Sequence, residues 1–206
     1  MIYALLFGNA EHASYDSKIT QLVDDISTTT TAFGSKVSDA NTVKDAIKRG
    51  EREIFIFAEG NSAQIGNYSN MRDFAAFLND TLGLFGVYGA GNRVTTITLE
   101  SCQSSKLAPQ LGDACRKYVQ REKKLVVQGV IGRAFTKSTG QTVGLSTANA
   151  DELDRQVAAG GMSKERYDRF LEENKLATQT PFKRCEYSGF KTETSAAAAA
   201  TDSGMG

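Results

Sequence analysis

The sequence predicts an α/β fold, an open and mainly parallel sheet with helices on both faces. Three observations predict it. Short apolar runs alternate with segments whose apolar residues recur at helical spacing. The four strongest runs lie at 1–7, 53–60, 93–101 and 124–132; the first is apolar throughout, as a strand buried on both faces is, while the third alternates apolar residues with threonine. Glycine, asparagine and small polar residues close most of these runs and mark turns.

Taken in order, MIYALLF (1–7) reads as a buried strand. Residues 14–28 place Ile19, Leu22, Val23 and Ile26 on one helical stripe behind Ser14 as cap. Residues 32–38 read as a weak strand and 39–50 as a short helix stopped by Gly50. EIFIFAEG (53–60) is a second strong strand, and 70–85 is a helix with Phe74, Phe77, Leu78 and Leu82 on one side. The glycine-rich GVYGAGN (86–92) precedes a strand instead of following one, so it is read as a turn and not a phosphate loop. Then come a strand (93–101), a helix (106–122), a strand (124–132) and a short strand (140–146). Residues 151–176 read as helical with a Gly-Gly break, and RCEY (184–187) carries no usable spacing. The expected organisation is one domain over 1–180 and an extended or disordered tail over 181–206, whose small polar residues have little apolar area to bury.

The totals narrow the function classes. The 206 residues carry 24 Lys+Arg and 24 Asp+Glu, so neither nucleic acid nor an acidic membrane surface is an expected partner. The cysteines, Cys102, Cys115 and Cys185, are odd in number and irregular in spacing, which argues against a disulfide framework. Without a CxxC pair, and with His12 the one histidine, no zinc site and no cofactor is expected. The N-terminal run is followed by Gly-Asn and reads as a strand and turn, not a signal peptide. A soluble, cytoplasmic protein is the expectation, or one delivered to another cell without a classical signal.

In open parallel sheets ligands sit beyond the carboxyl ends of the strands, at a switch in strand order. Three polar clusters fall at such ends: Asn9–His12, Glu59–Ser62 and Glu100–Ser104. In TTITLESCQSS (95–105) the thiol of Cys102 leaves a strand where such a sheet delivers chemistry, and a thiolate is a good nucleophile beside a base. The plainer alternative is a cysteine filling space at a strand end. Cys115, on an apolar helical face, reads as core, and Cys185 as incidental. In FAEGNS (57–62), Gly60 frees the backbone for a turn while Asn61 and Ser62 offer hydrogen bonds; an ordinary strand-to-loop turn reads the same way. His12 is the imidazole available as a base at neutral pH, against the simpler alternative of a loop histidine.

These stretches carry a resemblance. IFIFAEGNSAQIGNYSNMRDFAAFL looks like the histidine strand, polar turn and amphipathic helix of the caspase-like (clan CD) cysteine peptidases, above all the self-cleaving protease domains of large bacterial toxins. VTTITLESCQSS is similar to their cysteine strand, and LVVQGVIGRAFTKSTGQTVGL to the next strand and specificity loop. The resemblance covers roughly residues 1–146. It implies a caspase-like three-layer sandwich around a roughly six-stranded sheet and a cysteine nucleophile at Cys102, with Ser104 also in agreement. It further implies a peptide or protein substrate. The departure is Glu59, which stands where the family has its catalytic histidine. A carboxylate is charged at neutral pH, disfavours a neighbouring thiolate and is a poor acid toward a leaving amine.

Two functions follow as expectations. In one, Cys102 attacks a carbonyl, His12 moves the proton, Glu59 orients the imidazolium, and the backbone N–H groups of Gly60 and Cys102 form an oxyanion hole. Asn61, Ser62, Gln103, Ser104 and Arg133 then line the substrate site. In the other, the chain is a catalytically silent pseudopeptidase, a bacterial or phage effector that uses the same cleft to bind a partner.

Overall fold

A computed structural model describes residues 2–5, 35–37, 40–86, 93–137, 141–175 and 182–189. The helix expected over 14–28, the 86–92 turn beyond Gly86, and His12 lie outside the described residues.

The chain is a mixed α/β protein. Strands β1 (Ile2–Leu5), β2 (Ser35–Val37), β3 (Glu53–Phe57), β4 (Thr96–Glu100), β5 (Lys124–Val130) and β8 (Phe182–Ser188) form one sheet in the order β2-β1-β3-β4-β5-β8. The first five are parallel to their neighbours, and β8 runs antiparallel to β5. The register carries straight across: Leu5 pairs with Phe57, Phe57 with Glu100, and Leu99 with Gly129. The carboxyl ends of β1, β3 and β4 therefore stand in a row on one rim. The chain passes from β1 outward to β2 and then returns past β1 to β3, so strand order reverses between β1 and β3.

Helix α1 (Ala40–Lys48), helix α2 (Met71–Ala76, continued as a π-turn over Phe77–Thr81) and helix α3 (Ala108–Cys115) form the crossovers. Right-handed crossovers moving in one direction along a sheet put their helices on one face. The packing agrees, since Val43 and Ile47 of α1, Phe74 and Leu78 of the α2 segment, and Leu111 of α3 share one core with Ile54, Ile56, Ile97, Leu99, Leu125 and Val127. Each such buried aliphatic or phenyl side chain contributes about 1.5–3 kcal/mol. Residues 70–85 carry a single apolar stripe, but it is built from two helix types, with Asn70 capping α2 by accepting from the Arg72 N–H at 2.9 Å.

After β5 the chain forms a hairpin of β6 (Arg133–Thr136) and β7 (Thr142–Leu145), then α4 (Thr147–Ala158) and α5 (Lys164–Asn174). Val143, Leu145, Ala150, Leu153 and Leu171 make a second, smaller core. Gly144 sits so close to β5 that a methyl group on it would lie 1.9 Å from the Ile131 carbonyl oxygen.

The boundary at residue 181 needs correction. Phe182–Ser188 is not tail but the edge strand of the main sheet, paired with β5 along its whole length. None of its side chains is fully buried and Lys183 and Arg184 are both exposed, so it carries no apolar run for a sequence to show. The backbone ladder holds it together with two side chains: Tyr187 lies against Gly112 of α3 and its hydroxyl donates to the Pro109 carbonyl at 3.0 Å, and the Arg116 Nε donates to the Ser188 carbonyl at 3.0 Å.

Candidate functional site

The site is built on the turn that leaves β4. Glu100 is the last strand residue, and Ser101, Cys102 and Gln103 turn the chain into a single 3-10 turn, Ser104–Lys106, ahead of α3. Gln103 takes φ 56° and ψ 17°, and among the described residues it is the one non-glycine with positive φ. An L-residue held there costs on the order of 1 kcal/mol and persists only where its surroundings fix it. Three hydrogen bonds do so. The Gln103 N–H donates to the Gly132 carbonyl at 2.6 Å, which ties the turn to the β5–β6 connection. The Ser104 hydroxyl donates to the Leu99 carbonyl at 2.8 Å and accepts the Val130 N–H at 2.8 Å. The sharp turn leaves Cys102 half-buried at the rim, not sealed in the core.

This corrects the expected role of Ser104. Its side chain is fully buried and its hydroxyl joins β4 to β5, so it supports the turn and does not face a substrate. Asn61 changes role for a similar reason. Its side-chain oxygen accepts the N–H groups of Ala63 at 2.8 Å and Gln64 at 3.2 Å, which closes the loop after β3.

That loop reaches the cysteine turn. Glu59 and Cys102 each follow a register pair, Phe57 with Glu100, by two residues, so both leave the sheet at the same level. Glu59 is exposed and Ser62 half-buried. Gly60 lies against Ser101: a methyl group on it would stand 2.3 Å from the Ser101 hydroxyl oxygen and 2.6 Å from the Gln64 carbonyl. Only glycine allows that approach. The structure thus brings Gly60 beside the Ser101–Cys102 segment.

Arg133 opens β6, just past the carboxyl end of β5. Its guanidinium donates to Asp151 at 3.0 Å and Asp154 at 2.8 Å, both on α4, and stands 5.6 Å from the Phe135 ring. Partial burial pulls its pKa down, but the hydrogen bond and charge of Asp154, the negative charge of a Cys102 thiolate, and Asp151 outweigh this and leave it raised. Arg133 is therefore close enough to Cys102 to sense its charge. The Ser104, Lys106 and Leu107 N–H groups bond within the turn to the Ser101, Gln103 and Ser104 carbonyls, so they are not free to stabilise a thiolate.

Two groups at this rim escape a reading by motif. Glu100 is 9% exposed and Ser101 2%, and the Glu100 Oε2 and the Ser101 Oγ are buried without a hydrogen-bond partner. Burial pushes the Glu100 carboxyl up to about 7, opposed by a side-chain hydrogen bond with Thr142 of β7. Sequence offered one signal for it: a carboxylate at the end of an alternation in which every other position is apolar or threonine. Cys115 is unlike Cys102. Burial pushes its thiol up to about 12 despite Lys117, which suits a core residue.

Among the described residues no group of three or more histidine, cysteine, aspartate or glutamate side chains could hold a metal ion, and no helix is long and apolar enough to cross a membrane. No family model matches this chain, and no curated protein matches it.

Proposed function

We propose that this chain is a cysteine-peptidase-like protein of caspase-like fold, in which Cys102 is a thiol nucleophile at the carboxyl rim of the sheet. The observation that carries this reading is the meeting of Gly60 and Ser101 beside Cys102, at a rim next to the reversal of strand order. A sandwich about a mainly parallel, six-stranded sheet is what the resemblance implies, and the strand order and single antiparallel edge support it. Cys102 would attack a peptide carbonyl. The Gly60 and Cys102 N–H groups would face the resulting oxyanion, and Arg133 would stabilise negative charge on sulfur. His12 is the proposed base. It follows by seven residues the end of β1, which stands on the same rim.

The pseudopeptidase reading is favoured by one specific observation, Glu59 at the exit of β3, where this chemistry would place a histidine. A peptide-directed acyloxymethyl-ketone probe at neutral pH separates the two. Enzyme chemistry requires Cys102 to be labelled at least tenfold faster than a free thiol, with that excess lost in His12→Ala and all labelling of the site lost in Cys102→Ala. Labelling at the free-thiol rate, indifferent to His12→Ala, excludes it, and a gain in Glu59→His identifies a decayed peptidase.

A further inference from the structure

The amino-terminal rim of the sheet, at the other end of β4 from the cysteine turn, holds a cation that no role assigned so far uses. Arg93 lies just before β4 and is 9% exposed. Its Nη1 donates to the Val94 carbonyl at 3.4 Å, and its Nη2 donates to the Lys124 carbonyl, at the start of β5, at 3.1 Å. Both acceptors are neutral, and a guanidinium has more N–H groups than these two bonds use. Among the described residues no carboxylate forms an ion pair with Arg93, although Glu51 and Glu53 flank Arg52 in sequence. The charged group that acts on it is a second guanidinium, Arg52. The Arg52 carbonyl accepts the Thr95 N–H at 2.8 Å and the Thr96 N–H at 3.2 Å, which sets it beside the residues leading into β4. Its Nη1 donates to the Glu51 carbonyl at 2.9 Å and to the Ile47 carbonyl at 3.4 Å. Burial first, and the charge of Arg52 second, lower the Arg93 pKa. Arginine nevertheless keeps its proton in proteins, and a buried charge is stable when it is paired.

We propose that Arg93, with Arg52 beside it, forms a binding site for a phosphate group at the amino-terminal ends of β3, β4 and β5. The planar fork of a guanidinium matches the oxygens of a phosphate or a carboxylate. A second positive charge acting on the same place favours phosphate, which carries more negative charge at neutral pH than a carboxylate does. The bound anion supplies the counter-charge that Arg93 lacks and reinforces the point where Arg93 already joins β4 to β5 through the Lys124 carbonyl. The site lies beyond the opposite end of β4 from Cys102, so it stands whether or not the thiol reacts.

The test is thermal melting and isothermal titration calorimetry of the full chain with inorganic phosphate, against sodium chloride and sodium acetate at equal ionic strength, in wild type and Arg93→Gln. Phosphate at roughly tenfold its Kd should raise the wild-type melting temperature by about 3–6 °C over chloride. Arg93→Gln should lose that excess, and acetate should give less than phosphate. An equal rise in Arg93→Gln is a general salt effect and overturns the site, as does a wild type with neither binding heat nor excess stabilisation. Acetate matching phosphate overturns the choice of ligand. Should Arg93→Gln fail to fold, Arg52→Gln carries the test: its affinity for phosphate should fall roughly threefold to tenfold, and an unchanged affinity overturns the proposal. Glycerol phosphate binding as tightly as inorganic phosphate identifies the ligand as a phosphorylated molecule, and binding of inorganic phosphate alone identifies it as the free ion.

Discussion

At the scale of single residues, Ser104 and Glu100 show how position in a sequence misleads about role. A serine two places after a candidate nucleophile suggests substrate contact, yet its hydroxyl spans the Leu99 carbonyl and the Val130 N–H. Ser104→Ala leaves both buried and unpaired, so it should cost about 2–3 kcal/mol in urea unfolding. A substrate-binding serine would instead lower activity and leave stability unchanged. Glu100 carries the opposite lesson, being an ionisable group that folding penalises. Its folded pKa lies near 7 against an ordinary 4.5. The folded state therefore binds the proton more tightly, and the stability this provides is complete below about pH 4.5 and is lost as pH rises through 7. The loss amounts to about 3 kcal/mol at the upper end. Melting temperatures of wild type and Glu100→Gln at pH 5 and pH 8 test this: the wild type should lose more, and equal losses would show that Glu100 ionises normally. Neither role can be read from residue type, because both depend on which backbone or side chain comes within reach after folding.

At the scale of elements, legibility followed the periodicity of the core. The strands at 53–57, 96–100 and 124–130 and the helix at 40–48 were visible because each buries an apolar set at its own period. The pair of helices α4 and α5, split at Gly160-Gly161, was visible through the break. Two strands were not. β6 and β8 are held by ladders and by contacts to single residues, and their side chains alternate too weakly to show. Gly129 is a second glycine, besides Gly60, on which the candidate site leans. A methyl group there would meet the Ser104 backbone at 2.4 Å, and backbone cannot yield as a flexible side chain can. Gly129→Ala should therefore cost about 2 kcal/mol or more and lift the cysteine turn off β5. The measurement is urea unfolding together with the Cys102 labelling rate. A variant with wild-type values for both would mean that the turn is less tightly seated than its hydrogen bonds indicate.

At the scale of the whole molecule, the sequence indicated the parallel sheet and the rim where the polar turns gather, because both follow from strands alternating with helices. It did not indicate which turns touch. The contact of Gly60 with Ser101, and the approach of Arg133 to Cys102, come from register and from the placement of a hairpin more than thirty residues away in sequence. The two cores also rest on different physics. The larger is a continuous apolar layer, while the smaller is bordered by exposed ion pairs, Arg133 with Asp151 and Asp154, and Lys137 and Lys175 with Glu172. Exposed pairs are screened by salt. Raising the salt from 0.05 to 1 M should therefore increase hydrogen exchange in α4 and α5 more than in α3, and a uniform response would argue that the two cores open together. The last described strand has a consequence for synthesis. Because β8 completes the sheet by lying along all of β5, a nascent chain emerging from the ribosome holds β5 with one flank bare until residues 182–188 have cleared the exit tunnel. Through that interval the growing polypeptide carries an unpaired apolar ribbon, the kind of surface that chaperones meet and that joins wrongly to another copy when they do not.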